Sequence, residues 1–278
     1  MNPDALYSEL RKTAADESRD WPAEAARLRD ALQRDRSASK LAYLLHRVDE
    51  LAAGRRDLHI LDYGCGGGQL VIYLRLLGYE QVLGVDVSPE NEAVNRQLAQ
   101  RLGLSAETFT TYDTRTLPYA DASFDLLLSE TVLEHVHNLD DYYREASRVL
   151  RPGGRALLFF PHRLVPFDTH SRTWFLHYLP RPLQGPLYDR LTTQGGAYYA
   201  QILNLRTLAT HRRIALRHFS SYALCTESRL RQAGYTEHYK GNRRLRAAVQ
   251  KLIDAPLLGG LACRALSCLS EAEIVLAK

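Results

Sequence analysis

Leu58-His59-Ile60-Leu61-Asp62-Tyr63-Gly64-Cys65-Gly66-Gly67-Gly68-Gln69 is the stretch on which the fold turns. His59-Ile60-Leu61 reads as a buried strand and Leu70 to Leu77 as a helix, so the glycines fill a strand-to-helix turn. Asp62, Gly64, Gly66 and Gly68 occupy alternate positions. Glycine there lets the backbone turn tightly and lets a ligand lie against bare main chain. A dinucleotide fingerprint needs glycines at the first, third and sixth places, and counted from Gly64 the sixth is Gln69, so that pattern fails. Asp86 follows at the end of the next strand-like run, Gln81-Val82-Leu83-Gly84-Val85. A carboxylate only accepts hydrogen bonds and can take both hydroxyls of a ribose, so an acid at this strand end marks an adenosine-containing ligand.

Outward from this turn the organisation follows. Residues 1–57 read as a helical cover: Pro22 starts a helix, and Leu41, Leu44, Leu45, Val48 and Leu51 share a face. After Leu58, helical stretches at Pro89 to Leu102 and Asp140 to Leu150 alternate with strands at Glu107 to Thr111, Phe124 to Leu128 and Arg155 to Phe160. Such alternation predicts parallel crossovers and an α/β, Rossmann-like doubly wound sheet. Pro152-Gly153-Gly154 reads as the turn between the last helix and strand. Beyond Phe160 the alternation fails, and residues 161–220, punctuated by Pro180, Pro182, Pro186 and Gly195-Gly196, read as an inserted cap, a mobile basic lid. The core resumes over 221–278, with a helix at Thr226 to Gln232, a stop at Gly234, a strand at Tyr235 to Tyr239, a helical insertion from Arg243 to about Ser270 and a strand at Glu273 to Ala277.

Four blocks, LDYGCGGGQ (61–69), GVDVSPE (84–90), YDTRTLPYADASFDLLLSETVLEHV (112–136) and REASRVLRPGGRALLFF (144–160), together resemble the class I S-adenosylmethionine-dependent methyltransferases in their small-molecule and quinone-type branch. The resemblance covers residues 58–160. It implies a seven-stranded sheet with an antiparallel last strand and S-adenosylmethionine as cofactor. By position it sets Asp62, Gly64, Cys65 and Gly66 along the methionine part, Asp86 with Val87 at the ribose, Asp113 with Thr114 by the adenine, and Ser129 near the donor sulfur. Cys65 is then a small lining residue.

Methyl transfer to a hydroxyl gains from removal of its proton, and histidine suits that task at neutral pH. His135, just past the fourth strand, is the first candidate base, and His170 in the cap is the second. Arg163 and Arg172 are candidate clamps for a phosphate or carboxylate, with Trp174 and Tyr178 beside them. Glu130, Glu134 and His135 are similar to the metal-binding cluster of some quinone and RNA-end methyltransferases. Those use Glu-x-x-Glu-His, whereas the acids here are four apart, so no metal is assigned.

The net charge of +4 is unevenly spread. Residues 1–160 carry −6, residues 161–250 carry +10, and the rest are neutral overall. A basic segment of ninety residues implies an anionic partner, which a small anionic acceptor satisfies. Peripheral membrane contact stays open through Arg243-Arg244-Leu245-Arg246 and the apolar run Leu252 to Leu269. No Asn/Asp-Pro-Pro-Tyr/Phe motif, pyrimidine-attacking cysteine motif or RNA-binding module supports action on nucleic acid. Cys65, Cys225, Cys263 and Cys268 lack metal or disulfide spacing, and Met1 to Asp20 lacks an apolar signal core, so a cytoplasmic location is expected. Oligomeric state is not legible.

Overall fold

Four parallel strands form because each short apolar run is followed by a helix or loop that returns the chain to the same edge. The strands are β1 (His59–Tyr63), β2 (Gln81–Asp86), β3 (Phe109–Thr111) and β4 (Phe124–Glu130). The computed structural model describes residues 2–35, 39–232, 243–255 and 259–278. These divide into two compact units, residues 1–129 with 148–155, and residues 130–147 with 156–278.

In the first unit β1 pairs in parallel with β2 and β4, and β2 with β3. The register sets Tyr63 opposite Val85 and Asp86 opposite Thr111, so the motif residues gather at the carboxyl ends of the strands. That is where open α/β sheets bind ligands. The N-terminal cover is α1 (Pro3–Lys12), α2 (Trp21–Arg34) and α3 (Ala42–Ala52). Asn2 caps α1 by accepting from the amides of Asp4 and Ala5, and Asp20 caps α2 from Ala23, the residue after Pro22. Asp4 then ties α1 down, taking hydrogen bonds from Gln69 Nε2 at 2.7 Å, Tyr73 Oη at 3.1 Å and the Lys40 amide at 2.7 Å. Gln69 and Tyr73 lie on α4 (Gln69–Leu76), and α5 (Pro89–Arg101) follows β2 with Ser88 as its cap.

Around the second unit run α6 (Leu139–Val149) and β5 (Leu150–Phe160), both shared with the first, then the hairpin of β6 (Phe167–Asp168) and β7 (Thr173–Trp174). Helices α7 (Arg181–Leu191), α8 (Gly195–Ile202) and α9 (Leu208–Ala215) follow, with Leu176, Tyr188 and Tyr199 as a small core of their own. Next come β8 (Ser221–Leu224), α10 (Thr226–Gln232), α11 (Arg243–Ile253), α12 (Gly259–Ser267) and β9 (Ala272–Ala277). The strand order is β3-β2-β1-β4-β5-β9-β8, seven strands with β9 antiparallel to β8, in agreement with the expected fold class.

Three local expectations change. Pro152-Gly153-Gly154 lies within β5, whose first residue directly follows α6; Gly153 at φ +79° supplies the left-handed residue there. Ser221–Leu224, read as the start of the returning core, is itself a strand. The strand expected at Tyr235 to Tyr239, with Gly234, lies outside the described residues.

Two buried histidines of this unit give stability a pH dependence. His162 Nε2 donates to the Ser270 carbonyl at 3.0 Å while Nδ1 accepts from the Leu164 amide, and His211 Nδ1 is hydrogen-bonded to Tyr143 Oη at 2.9 Å. Burial pushes His162 down to about 4 and His211 to about 3. An unfolded histidine binds its proton near pH 6.5, so each contribution is complete above that pH and shrinks as pH falls toward the folded value. Between pH 7.5 and 5.5 the wild type is expected to lose about 1.4 kcal/mol more than His211→Gln in urea denaturation. Equal losses would contradict a neutral buried His211.

Candidate active site

The glycine turn and Asp86 form one hydrogen-bonded cradle in the first unit. Gly64 and Cys65 amides donate to the Val85 carbonyl at 2.8 and 3.0 Å, and Gly68 to Cys65 at 2.8 Å. Asp86 Oδ2 accepts from the Gly66 amide at 2.8 Å and Oδ1 from the Ser88 amide at 3.0 Å. Positive φ at Gly64 (+89°), Gly66 (+47°) and Gly68 (+75°) explains the glycines, and a side chain on Gly68 would press on Phe109 and Asn95 at under 3 Å. Cys65 stands over Gly84, where an added Cβ would meet its sulfur at 2.9 Å. Burial, then the neighbouring Asp62 and Asp86, pushes the Cys65 thiol up, so it is no nucleophile at neutral pH.

The other cradle residues differ in what they do. Asp62 is buried at the end of β1, and Val87 is exposed beside Asp86. Asp113 is exposed, and the Arg115 and Thr116 amides that its Oδ1 accepts hold its carboxyl below the usual range. Thr114 next to it is exposed and left-handed. Ser129 is buried and donates to the Tyr63 carbonyl at 2.9 Å, tying β4 to β1.

Sequence reasoning missed three neighbours. Asn95 Nδ2 donates to the Gly66 carbonyl at 2.8 Å, Tyr7 Oη donates to the Gly67 carbonyl, and Arg11 lies beside Gly67 with its Nη2 on Asn91 Oδ1. Asn95 left a signal, being a polar residue on the α5 face that buries Leu98 and Ala99. Tyr7 and Arg11 left none.

In the second unit the two candidate bases come together. The rings of His135 and His170 meet edge to face with centroids 4.8 Å apart. His135 Nδ1 is 2.7 Å from the Ile202 carbonyl, and His170 Nδ1 is 3.3 Å from Asp168 Oδ1. Both partners can only accept, so both Nδ1 atoms carry a hydrogen, and in each neutral ring Nε2 keeps the lone pair. Each Nε2 lies 4.0 Å from Oε1 of Glu134, whose carboxyl burial pushes up to about 8. Burial lowers His135, whereas the hydrogen bond with Asp168 raises His170. Arg163 is half-buried and Arg172 exposed, and neither has an ion pair among the described residues. Trp174 is exposed and packs on Phe167, and Tyr178 donates its hydroxyl to the Leu164 carbonyl.

Part of the chain is similar to known methyltransferases. A family model described as methyltransferase domain matches residues 61–158. The 27-O-demethylrifamycin SV methyltransferase of Amycolatopsis mediterranei is 35% identical over 144 residues, which are 50% of this chain and 48% of that protein. The ubiquinone biosynthesis O-methyltransferase of Sinorhizobium fredii is 33% identical over 123 residues, 41% and 48% of the two chains. These similarities support a class I S-adenosylmethionine-dependent methyltransferase domain over residues 61–158. The match spans less than half the length of these curated relatives. A geranyl diphosphate methyltransferase solved with S-adenosylmethionine shares the fold, with a TM-score of 0.51 at 17% identity over 96% of this chain and 93% of that one.

The cradle fits the donor of this family. Above Gly66 an added Cβ would meet nothing within 4 Å, so space is open against bare backbone. Each Asp86 oxygen accepts one backbone hydrogen bond and keeps a lone pair that a ribose hydroxyl would meet. Gly64, Cys65 and Gly66 would line the methionine portion, Asp62 lies at the end of the same strand, and Val87 would face the nucleoside. Asp113 has Oδ1 engaged in its own turn, so an adenine amino group would meet Oδ2.

Proposed function

We propose that this protein methylates a hydroxyl of a small, anionic metabolite such as a sugar, a glycan precursor or a secondary metabolite. The observation that carries the reading is the 2.7 Å contact of His135 Nδ1 with the Ile202 carbonyl. With Nδ1–H committed to the Ile202 carbonyl, Nε2 presents a lone pair able to take a proton from an attacking oxygen. S-adenosylmethionine supplies a methyl group on a sulfonium whose leaving group is a neutral thioether. The protein's remaining tasks are to hold the acceptor oxygen about 3 Å from that carbon and to receive its proton. The oxygen-directed relatives support the choice of acceptor atom.

The anionic character rests on charge. Residues 161–250 carry +10, and Arg163 and Arg172 belong to that segment. Residues 161–220 then act as the cap that selects the acceptor. Arg172→Ala is expected to raise the acceptor's KM with donor affinity unchanged, and added salt to raise the wild-type KM toward that of the variant. A panel of phosphorylated, carboxylated and neutral hydroxyl compounds, assayed from roughly 50 to 500 mM salt so that exposed charges become progressively screened, makes the test. Salt-independent turnover of a neutral acceptor would overturn the anionic reading.

A lipid or isoprenoid-quinone acceptor at a membrane surface is the second reading. Trp174, Phe175 and Leu261 favour it, being 54%, 53% and 71% exposed, since bare side chains of this size suit an apolar partner. No described helix is long and apolar enough to cross a membrane.

A further inference from the structure

We propose that Glu134, His135 and His170 form a binding site for a divalent transition-metal ion of the zinc type. Their ligating atoms lie within 4.8 Å of one another, although residue 170 is far from the other two in sequence. The Glu134 side chain is fully buried, yet neither carboxyl oxygen has a hydrogen-bond partner among the described residues. A buried carboxyl in that state is costly unless a hydrogen-bond partner or a cation completes it. The two Nε2 atoms each lie 4.0 Å from Oε1, too far for hydrogen bonds. That spacing suits atoms sharing an ion: ligands about 2.1 Å from tetrahedral zinc stand about 3.4 Å apart, which small side-chain rotations reach.

The surroundings are already arranged for coordination. Each imidazole directs Nδ1–H at a fixed acceptor, the Ile202 carbonyl or the Asp168 carboxylate, and so turns Nε2 toward Glu134. Asp168 is itself held by the Ser171 amide at 3.2 Å and by the Ser171 hydroxyl. Outer hydrogen bonds of this kind orient metal-binding histidines and raise their basicity. Two nitrogens and one carboxylate favour zinc, cobalt, iron or manganese over calcium or magnesium, which prefer oxygen alone. Three protein ligands leave at least one position for a water or substrate oxygen. A consequence that rests on the O-methylation reading is that the ion, in taking the Nε2 lone pairs, would acidify a bound acceptor hydroxyl in place of a histidine base.

Cobalt(II) chloride titrated into chelator-treated full-length protein tests the site directly, without any methyl transfer. One equivalent is expected to produce visible ligand-field absorption, and zinc(II) to displace it. Asp168→Asn should weaken binding roughly 10- to 100-fold, and Glu134→Gln and His170→Ala by more. His46→Ala, which removes an exposed histidine of α3, should bind as the wild type does. Circular dichroism and S-adenosylhomocysteine affinity, measured without metal, confirm that each variant is folded. No stoichiometric cobalt binding by the wild type, or binding that survives both ligand substitutions, would overturn the proposal, and either result would leave the donor cradle untouched.

Discussion

His135→Ala and His170→Ala are each expected to lower the rate of methyl transfer by about 10² to 10⁴ with donor affinity unchanged. The expectation follows from the pair's geometry. The two rings meet at 4.8 Å, both Nδ1 hydrogens are committed elsewhere, and both Nε2 atoms face the same buried carboxyl. Loss of either ring removes an acceptor for the departing proton or a ligand for an ion that would acidify it. Neither histidine belongs to the glycine cradle, so S-adenosylhomocysteine should bind both variants as it binds the wild type. The measurement is single-turnover transfer of labelled methyl to an acceptor found in the screen. Unchanged rates in both variants would remove the pair from the chemistry. Unequal losses would identify the ring nearer the reacting oxygen.

The donor side was legible because its signals are local. A strand, a glycine turn with positive φ at Gly64, Gly66 and Gly68, a helix and an acid at the next strand end all fall within thirty residues. Each is dictated by neighbours along the chain. The supports from α1 were hidden for the opposite reason, because Tyr7 reaches the Gly67 carbonyl across sixty residues and only tertiary packing makes the meeting. Ser129 was readable as a position, but its hydrogen bond to the Tyr63 carbonyl depends on strand register, which sequence alone does not supply. His135 and His170 were each singled out by residue type, whereas their pairing depends on the hairpin of β6 and β7 and on a backbone carbonyl at Ile202 that has no side-chain signature. For the same reason the metal reading was set aside on the Glu130 to Glu134 spacing, while the third ligand came from the cap. Strand β8 escaped notice because it is four residues long and mostly exposed, so it lacks an alternating apolar pattern.

Asp86→Ala is expected to weaken binding of S-adenosylhomocysteine by roughly ten- to a hundredfold, the equivalent of about 1.5 to 3 kcal/mol for hydrogen bonds to a charged acceptor. Two effects act in the same direction. The ribose hydroxyls lose their acceptor, and the Gly66 and Ser88 amides lose theirs, so the turn that carries the methionine portion is less well held. Asp86→Asn, which keeps one oxygen, should fall between the two. Calorimetric titration of the wild type and both variants with S-adenosylhomocysteine is the most direct measurement of the central claim. A single site in the wild type, with affinity falling in the order Asp, Asn, Ala at position 86, is the predicted result. No binding by the wild type, or equal affinity in all three proteins, would contradict the assignment of the glycine turn and Asp86 as the donor site.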